Sequence, residues 1–225
     1  IAVLASADKI WEVGFRNIFG VVAPASTEMD RLLQYADSKE LKTVAQIYAN
    51  QDGTRLAAKG VRGLASKYQF DIVYDQQYDP GDVDFADLVR QIQSKDPDIV
   101  FVAGYLGATD FLREAKQAGL QPDIMAISGA AAQAFGNELG SAADGVMATI
   151  GWIHSAHVPG AYDFSFRYRK RYGYYPDVYA ATAYSAGQVI EGAVRLAGTA
   201  DRFKVRRQLE EMRFTSLIGH YRVSQ

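Results

Sequence analysis

The sequence predicts an α/β protein: a parallel β-sheet with helices on both faces, accompanied by a second α/β portion that is only partly present. Three observations carry this expectation. Between residues 42 and 152, short β-prone runs alternate with amphipathic helical stripes in the order β-α-β-α-β-α-β-α-β, the pattern of right-handed crossover units. One run, DIVFVA at 98–103, is apolar at nearly every position, as a strand must be when both faces of its sheet are covered. The flanking segments, two strand-like runs before residue 23 and long helices after residue 160, have no sheet of their own large enough to cover.

Taken in order, residues 1–4 and 17–22 read as strands. Residues 27–38 read as a helix, with Thr27 in the N-cap position and Met29, Leu32, Leu33 and Ala36 on one face. A strand over 42–48 leads to a helix over 54–68. The strand over 70–78 ends at Asp79-Pro80-Gly81-Asp82, a run of turn formers. The helix over 83–95 places Phe85, Leu88, Val89 and Ile92 at i, i+3, i+4 and i+7. After the strand at 98–103, the helix over 108–118 stops at Gly119, the residue type suited to a left-handed C′ position. A strand at 123–127, a short helix at 131–139 and a strand at 145–152 complete the alternation. Beyond it lie an aromatic-rich helix over 161–171 and a long helix over 179–198, whose buried stripe is Ala186, Ile190, Ala193, Val194 and Ala197. A helix over 204–212 and a strand over 218–223 close the chain.

Composition excludes several functions. Apolar residues at 48% and charged residues at 22% give a globular balance with enough material for a core. The net charge of −2 gives no bulk attraction to nucleic acid or an anionic membrane. The basic clusters at 167–171 and 202–207 are interrupted and read as solvated helix faces. The absence of cysteine rules out thiol catalysis, disulfides and cysteine-based zinc sites. No apolar run approaches the roughly 20 residues that span a bilayer. The chain opens on Ile1, which is the expectation for a processed or truncated product.

Motifs for chemistry are also missing. The turn after the 42–48 strand, ANQDGT at 49–54, has a single glycine where a dinucleotide fold needs several. No P-loop and no G-x-S-x-G nucleophile elbow occurs. His154 and His157 stand three apart, but Pro159 and weak periodicity make the segment a loop rather than a helical metal site. His220 falls in a strand without an evident partner. Asp79, Asp82 and Asp84 suit a turn and a helix N-terminus better than a calcium loop. No catalytic residue, metal or cofactor is therefore expected. What remains is a set of short polar and aromatic residues following strands: Ser6, Asp52, Tyr105 and Ser128. Parallel sheets take ligands at those ends, and pockets that bind without reacting are lined in this way.

Several stretches together are similar to a known family. ASADKIW at 5–11 resembles its Ser/Ala-rich ligand loop, and NIFGVV at 17–22 its first hinge strand. YDPGDVDF at 78–85 resembles its turn before a helix, and PDIVFVAGY at 97–105 its central strand. RKRYGYYPD at 169–177, followed by Tyr179 and Ala183-Tyr184, resembles its C-terminal helix pair. The family is that of the type I periplasmic solute-binding proteins, specifically the branched-chain amino-acid (Leu/Ile/Val) receptors of ABC transporters, and the resemblance runs along essentially the whole chain. It implies two Rossmann-like lobes with parallel sheets, a ligand in the cleft between them, and a first lobe that is incomplete here. In those terms residues 1–22 are part of lobe 1, truncated at its N-terminus, and 23–152 are lobe 2. Residues 153–213 are lobe 1 helices, and 214–225 a return strand to the hinge or lobe 2.

The resemblance also implies site residues. Ala5, Ser6 and Ala7 match the loop that offers backbone N–H groups and a hydroxyl to a ligand carboxylate. Tyr105 matches a wall of the second lobe, and Tyr179 an aromatic facing the cleft. Asp52 stands where amino-acid receptors often carry tyrosine, and Ser128 where they carry the glutamate that meets the ligand ammonium. A desolvated ammonium needs a carboxylate, so either Asp52 supplies it or the ligand has none. The expected role is that of a non-enzymatic, periplasmic or lipid-anchored extracytoplasmic receptor. It would capture a small amino acid or an organic or aromatic carboxylate and deliver it to ABC permease subunits. A ligand-sensing regulatory domain of the same fold and a flavodoxin- or Rossmann-like enzyme are the alternatives.

Overall fold

The structure, a computed structural model, describes residues 1–104, 107–128 and 138–223. The chain divides into two units: a first made of Ile1–Ala23 with Gly151–Gln225, and a second made of the continuous stretch Pro24–Ile150.

The second unit is built on five parallel strands: β1 (Thr43–Ala49), β2 (Asp71–Tyr78), β3 (Ile99–Ala103), β4 (Ile124–Ile127) and β5 (Val146–Ala148). Their order is β2-β1-β3-β4-β5. Helices α2 (Asp30–Asp37) and α3 (Asp52–Tyr68) cover one face; α4 (Phe85–Gln93) and α5 (Ala108–Gln117) cover the other. The two-residue period of a strand explains why β3 is apolar throughout. Val100 and Val102 pack with Leu88, Val89, Ile92 and Phe111 of α4 and α5, whereas Ile99, Phe101 and Ala103 pack with Leu33, Ala57 and Val61 of α2 and α3. Strand β2 lies at the edge, which is why its sequence, DIVYDQQY, tolerates exposed polar residues.

Polar groups fix the register. At the amino ends of β1 and β3, one Asp98 oxygen accepts from the backbone N–H of Lys42 (2.7 Å) and of Thr43 (2.8 Å), and the Asp98 N–H donates to Thr43 Oγ1 at 2.8 Å. These backbone donors hold the Asp98 carboxyl below the usual carboxylate range. Between α3 and the sheet, Arg62 donates to both oxygens of Asp75 (2.6 and 2.8 Å) and to the Tyr48 hydroxyl (2.9 Å). The fully buried Gln46 donates to the same Asp75 at 2.8 Å. The Asp75 carboxylate holds the guanidinium more firmly protonated than usual. Helix α3 approaches the 3₁₀ turn Ala25–Thr27 backbone to backbone, since a Cβ at Gly60 would lie 2.2 Å from the Ser26 carbonyl oxygen.

The first unit holds α1 (Asp8–Glu12), α6 (Ala161–Tyr172), α7 (Val178–Ala197), α8 (Arg202–Glu211) and an antiparallel hairpin of β6 (Phe214–Ser216) and β7 (Gly219–Tyr221). Two small cores serve it. Phe19, Val189, Ala193, Leu209, Met212 and Tyr221 form one; Trp152, Ala161, Phe164, Ala181 and Leu217 form the other. The hairpin packs on the helices of this unit: the Leu217 N–H donates to Gln188 Oε1 of α7 at 2.9 Å.

Several local expectations are corrected. Residues 1–4 and 17–22 are not strands. They meet in a single parallel bridge, Ala2 to Gly20, with no neighbouring strand among the described residues to extend the ladder. Thr27 does not cap a helix. It ends the 3₁₀ turn and donates to the Pro24 carbonyl at 2.8 Å, and α2 begins at Asp30. The last strand of the parallel sheet stops at Ala148, and Trp152 is buried in the first unit's core. On α7 the buried stripe runs through Ala181, Ser185, Val189 and Ala193, leaving Ile190 exposed. The helix is rich in apolar residues all round, so composition did not fix which side faces inward. His220 does have a partner, Thr215 Oγ1 at 3.0 Å from its Nδ1. Most of the helix expected at 131–139 lies outside the described residues.

Candidate functional site

The strand order reverses once, between β1 and β3. From β1 the chain leaves to α3 on one face, and from β3 to α5 on the other. The crevice outside the carboxyl ends at such a point is where open α/β sheets receive ligands. In this unit it is bordered by Asn50, Gln51 and Asp52 after β1 and by Gly104 after β3. Tyr105, expected as a wall, lies outside the described residues. The amino end of α5 is brought close to the start of α4 by Gly107, whose φ is +89° and whose Cβ would lie 2.7 Å from the Phe85 ring.

The residues after β1 and β2 bind one another. The Asn50 N–H donates to the Tyr78 carbonyl and its side-chain amide to Asp79 Oδ1, each at 2.8 Å. Arg55, one turn into α3, donates to Asn50 Oδ1 and forms an ion pair with Asp52. Asp52 is the first residue of α3, a position where a carboxylate also meets the positive end of the helix dipole. Its side chain is 92% exposed, so the charge faces water and Arg55 together. Tyr78, buried at the end of β2, packs edge-on against Phe85 at 5.4 Å. Burial, with a smaller contribution from the Asp110 carboxylate, pushes its phenol up to about 12, and it stays neutral at physiological pH.

Ser128 continues β4. Its N–H donates to the Val102 carbonyl at 3.0 Å, which fixes its backbone at the carboxyl edge, and it is half-buried. Asp52 and Ser128 thus follow strands β1 and β4 at one edge of the sheet, with β3 between those strands. In the first unit, Ala5, Ser6 and Ala7 are partly buried in the segment before α1, and the Ala7 carbonyl accepts from the Ile10 N–H at 3.0 Å. Tyr179, 58% exposed, is the second residue of α7, whose start is capped by Asp177 accepting from the Ala180 N–H at 2.8 Å.

Asn50 and Arg55 were missed from the sequence. The signal was present in part, because Asp52 and Arg55 stand at the i, i+3 spacing that pairs charges on a helix. Among the described residues, no group of three or more His, Asp or Glu side chains is placed to hold a metal ion. Asp84, from the acidic run 79–84, caps α4 by accepting from the Asp87 N–H at 3.0 Å.

The second unit is thus a five-stranded parallel α/β sheet with a polar carboxyl edge. The chain belongs to the periplasmic binding protein family, whose sequence model matches residues 1–225. It is 26% identical over 223 residues to a Leu/Ile/Val-binding protein homolog of Brucella abortus, covering 91% of this chain and 56% of that protein. The chain therefore spans little more than half the length of that relative. Among solved structures it is similar to a branched-chain amino acid ABC transporter protein from Rhodospirillum rubrum, with a TM-score of 0.84 and 19% identity over 98% of this chain and 67% of that one. It is also similar to a solute-binding protein of R. palustris in complex with benzoate, with a TM-score of 0.78 and 21% identity over 99% of this chain and 62% of that one. At these identities the likeness is one of fold: an α/β fold on a parallel sheet, as the sequence predicts.

Proposed function

We propose that the protein is the extracytoplasmic solute-binding component of an ABC importer. In this reading it works in the periplasm, passes its solute to permease subunits and catalyses no reaction. The observation that carries the reading is the carboxyl edge at the β1–β3 reversal in a chain of this family. Its polar groups are Asn50, Asp52, Arg55 and Asp79, and they are tied to one another rather than arranged as a nucleophile with a base. Of the expected site residues, Ala5, Ser6, Ala7, Tyr105, Ser128 and Tyr179 are proposed as solute contacts, and Asp52 as a residue beside the solute whose charge is met by Arg55.

The solute is a small carboxylate. Ser128 brings no charge, and the Asp52 carboxylate already has Arg55 as its counter-ion, which favours a ligand without an ammonium group over an amino acid. The benzoate complex of the R. palustris neighbour is a precedent for such a ligand on this fold. Calorimetry of the full-length protein against benzoate, aliphatic carboxylates and leucine tests the assignment. Binding of a carboxylate, undiminished in Asp52→Asn, is the expected result. Binding of leucine that disappears in Asp52→Asn would show instead that Asp52 holds an ammonium.

A further inference from the structure

The first unit carries a second feature, lined by residues other than those assigned to the solute. Helix α6 has two faces. Ala161, Phe164 and Ser165 are buried, while Tyr162 (82% exposed) and Phe166 (58% exposed) point outward one turn apart, with stacked rings 6.4 Å between centroids. Beside them runs an open groove of about 720 Å³, floored by α6 and walled by His154 and Tyr175. The groove is pre-built. The His154 ring stacks on Tyr175 at 4.3 Å, the Arg169 guanidinium lies 4.6 Å from the same ring, and Arg169 donates to the Tyr175 hydroxyl at 2.7 Å. Arg169 and Lys170 supply two positive charges, and among the described residues no carboxylate lines the groove, although the whole chain is net negative.

Exposed aromatic rings around a fixed arginine have the composition of a protein-binding hot spot. A wholly apolar neighbour would strand the Arg169 and Lys170 charges out of water, so the occupant must bring carboxylates. A small anion would leave most of its surface wet in so open a groove, unlike ligands of true pockets, whereas a protein segment gains further area beyond the rims. We propose that this groove docks an acidic segment of the importer's membrane subunit, an inference that rests on the importer reading given above.

The test uses the full-length protein and the importer assembled in lipid nanodiscs. Lys170→Glu and Tyr162→Ala change exposed side chains and leave the core of α6 intact. Each is expected to weaken binding to the importer on the order of tenfold, more strongly at low salt for Lys170→Glu, with solute affinity in calorimetry unchanged. Wild-type binding that both variants retain overturns the groove and spares the importer reading. A wild-type protein that binds solute but not the importer overturns both. Protection of Tyr162 from hydroxyl-radical labelling in the free protein also overturns the proposal. In that case a concentration dependence would assign the face to a second copy, and its absence to the protein's own chain.

Discussion

Gly60→Ala is expected to destabilise the protein, although the same change elsewhere in an exposed helix stabilises it. Alanine gains about 1 kcal/mol over glycine in a helix interior. At Gly60, however, the added Cβ would lie 2.2 Å from the Ser26 carbonyl oxygen, 2.6 Å from its Cα and 2.7 Å from its carbonyl carbon. All three are backbone atoms, so no side chain can swing aside, and restoring van der Waals contact requires α3 and the 3₁₀ turn to part by roughly 1 Å. Overpacking of this kind costs about 1–3 kcal/mol and more when backbone must move, which leaves a net loss of about 1–2 kcal/mol. Gly63, one turn on in the same helix, has open space where its Cβ would go. There the substitution is expected to stabilise by about 0.5–1 kcal/mol. Urea unfolding followed by far-UV circular dichroism, with amide exchange of β1 as a local probe, measures both. Equal stabilisation by the two substitutions would refute the backbone-to-backbone packing.

Other substitutions test other parts of the account. Asp98→Ala removes the charged acceptor of two backbone N–H groups and is expected to cost about 2–3 kcal/mol in urea unfolding. The Asp98 carboxyl is held below its ordinary value by those donors, and the Asp30 carboxyl by hydrogen bonds from Lys67 and Tyr68. Protonation is therefore harder in the folded than in the unfolded state. Their contribution is complete above the unfolded value, near 3.8, and is lost as pH falls through the lower folded values. Wild-type urea midpoints should drop below about pH 4, and the drop should be smaller in Asp98→Ala. Asp75→Ala deprives Arg62 and the buried Gln46 amide of their shared acceptor and is expected to cost about 2–3 kcal/mol. Gln46→Leu, which also removes a buried oxygen that has no partner, should cost less. Asp52→Asn should leave solute affinity within about twofold, because Arg55 rather than the solute is its counter-ion.

Much of the second unit was legible from sequence because its central strands and helices carry a strong period. The all-apolar run 99–103 could only be a strand covered on both faces, and the i, i+3, i+4, i+7 pattern of Phe85 to Ile92 could only face one way. The first unit was not. Apolar residues run all round α7, so the inward side is set by what packs there, namely Phe19, Met212 and Tyr221, and not by composition. Residues 17–22 have strand-like chemistry but, among the described residues, form a single β-bridge, Gly20 to Ala2. The site was half legible. The strand ends follow from the βα alternation, so Asp52 and Ser128 could be picked out. The bonds that tie Asn50 to Asp79 cross between strands that only the sheet order makes neighbours. The α6 groove depends on a stacking of His154 on Tyr175 across a gap of 21 positions, which no local pattern announces.

The carboxyl edge of the second unit's sheet is proposed to bind a small solute without transforming it. A thermal-shift screen of the full-length protein against amino acids, aliphatic and aromatic carboxylates and nucleotides tests it most directly, with product analysis by mass spectrometry. Stabilisation by a carboxylate-bearing solute is expected, about 2.7 kcal/mol at a hundred times its Kd, with the solute recovered unchanged. Stabilisation by nucleotides alone, or chemical conversion of the bound solute, would contradict it.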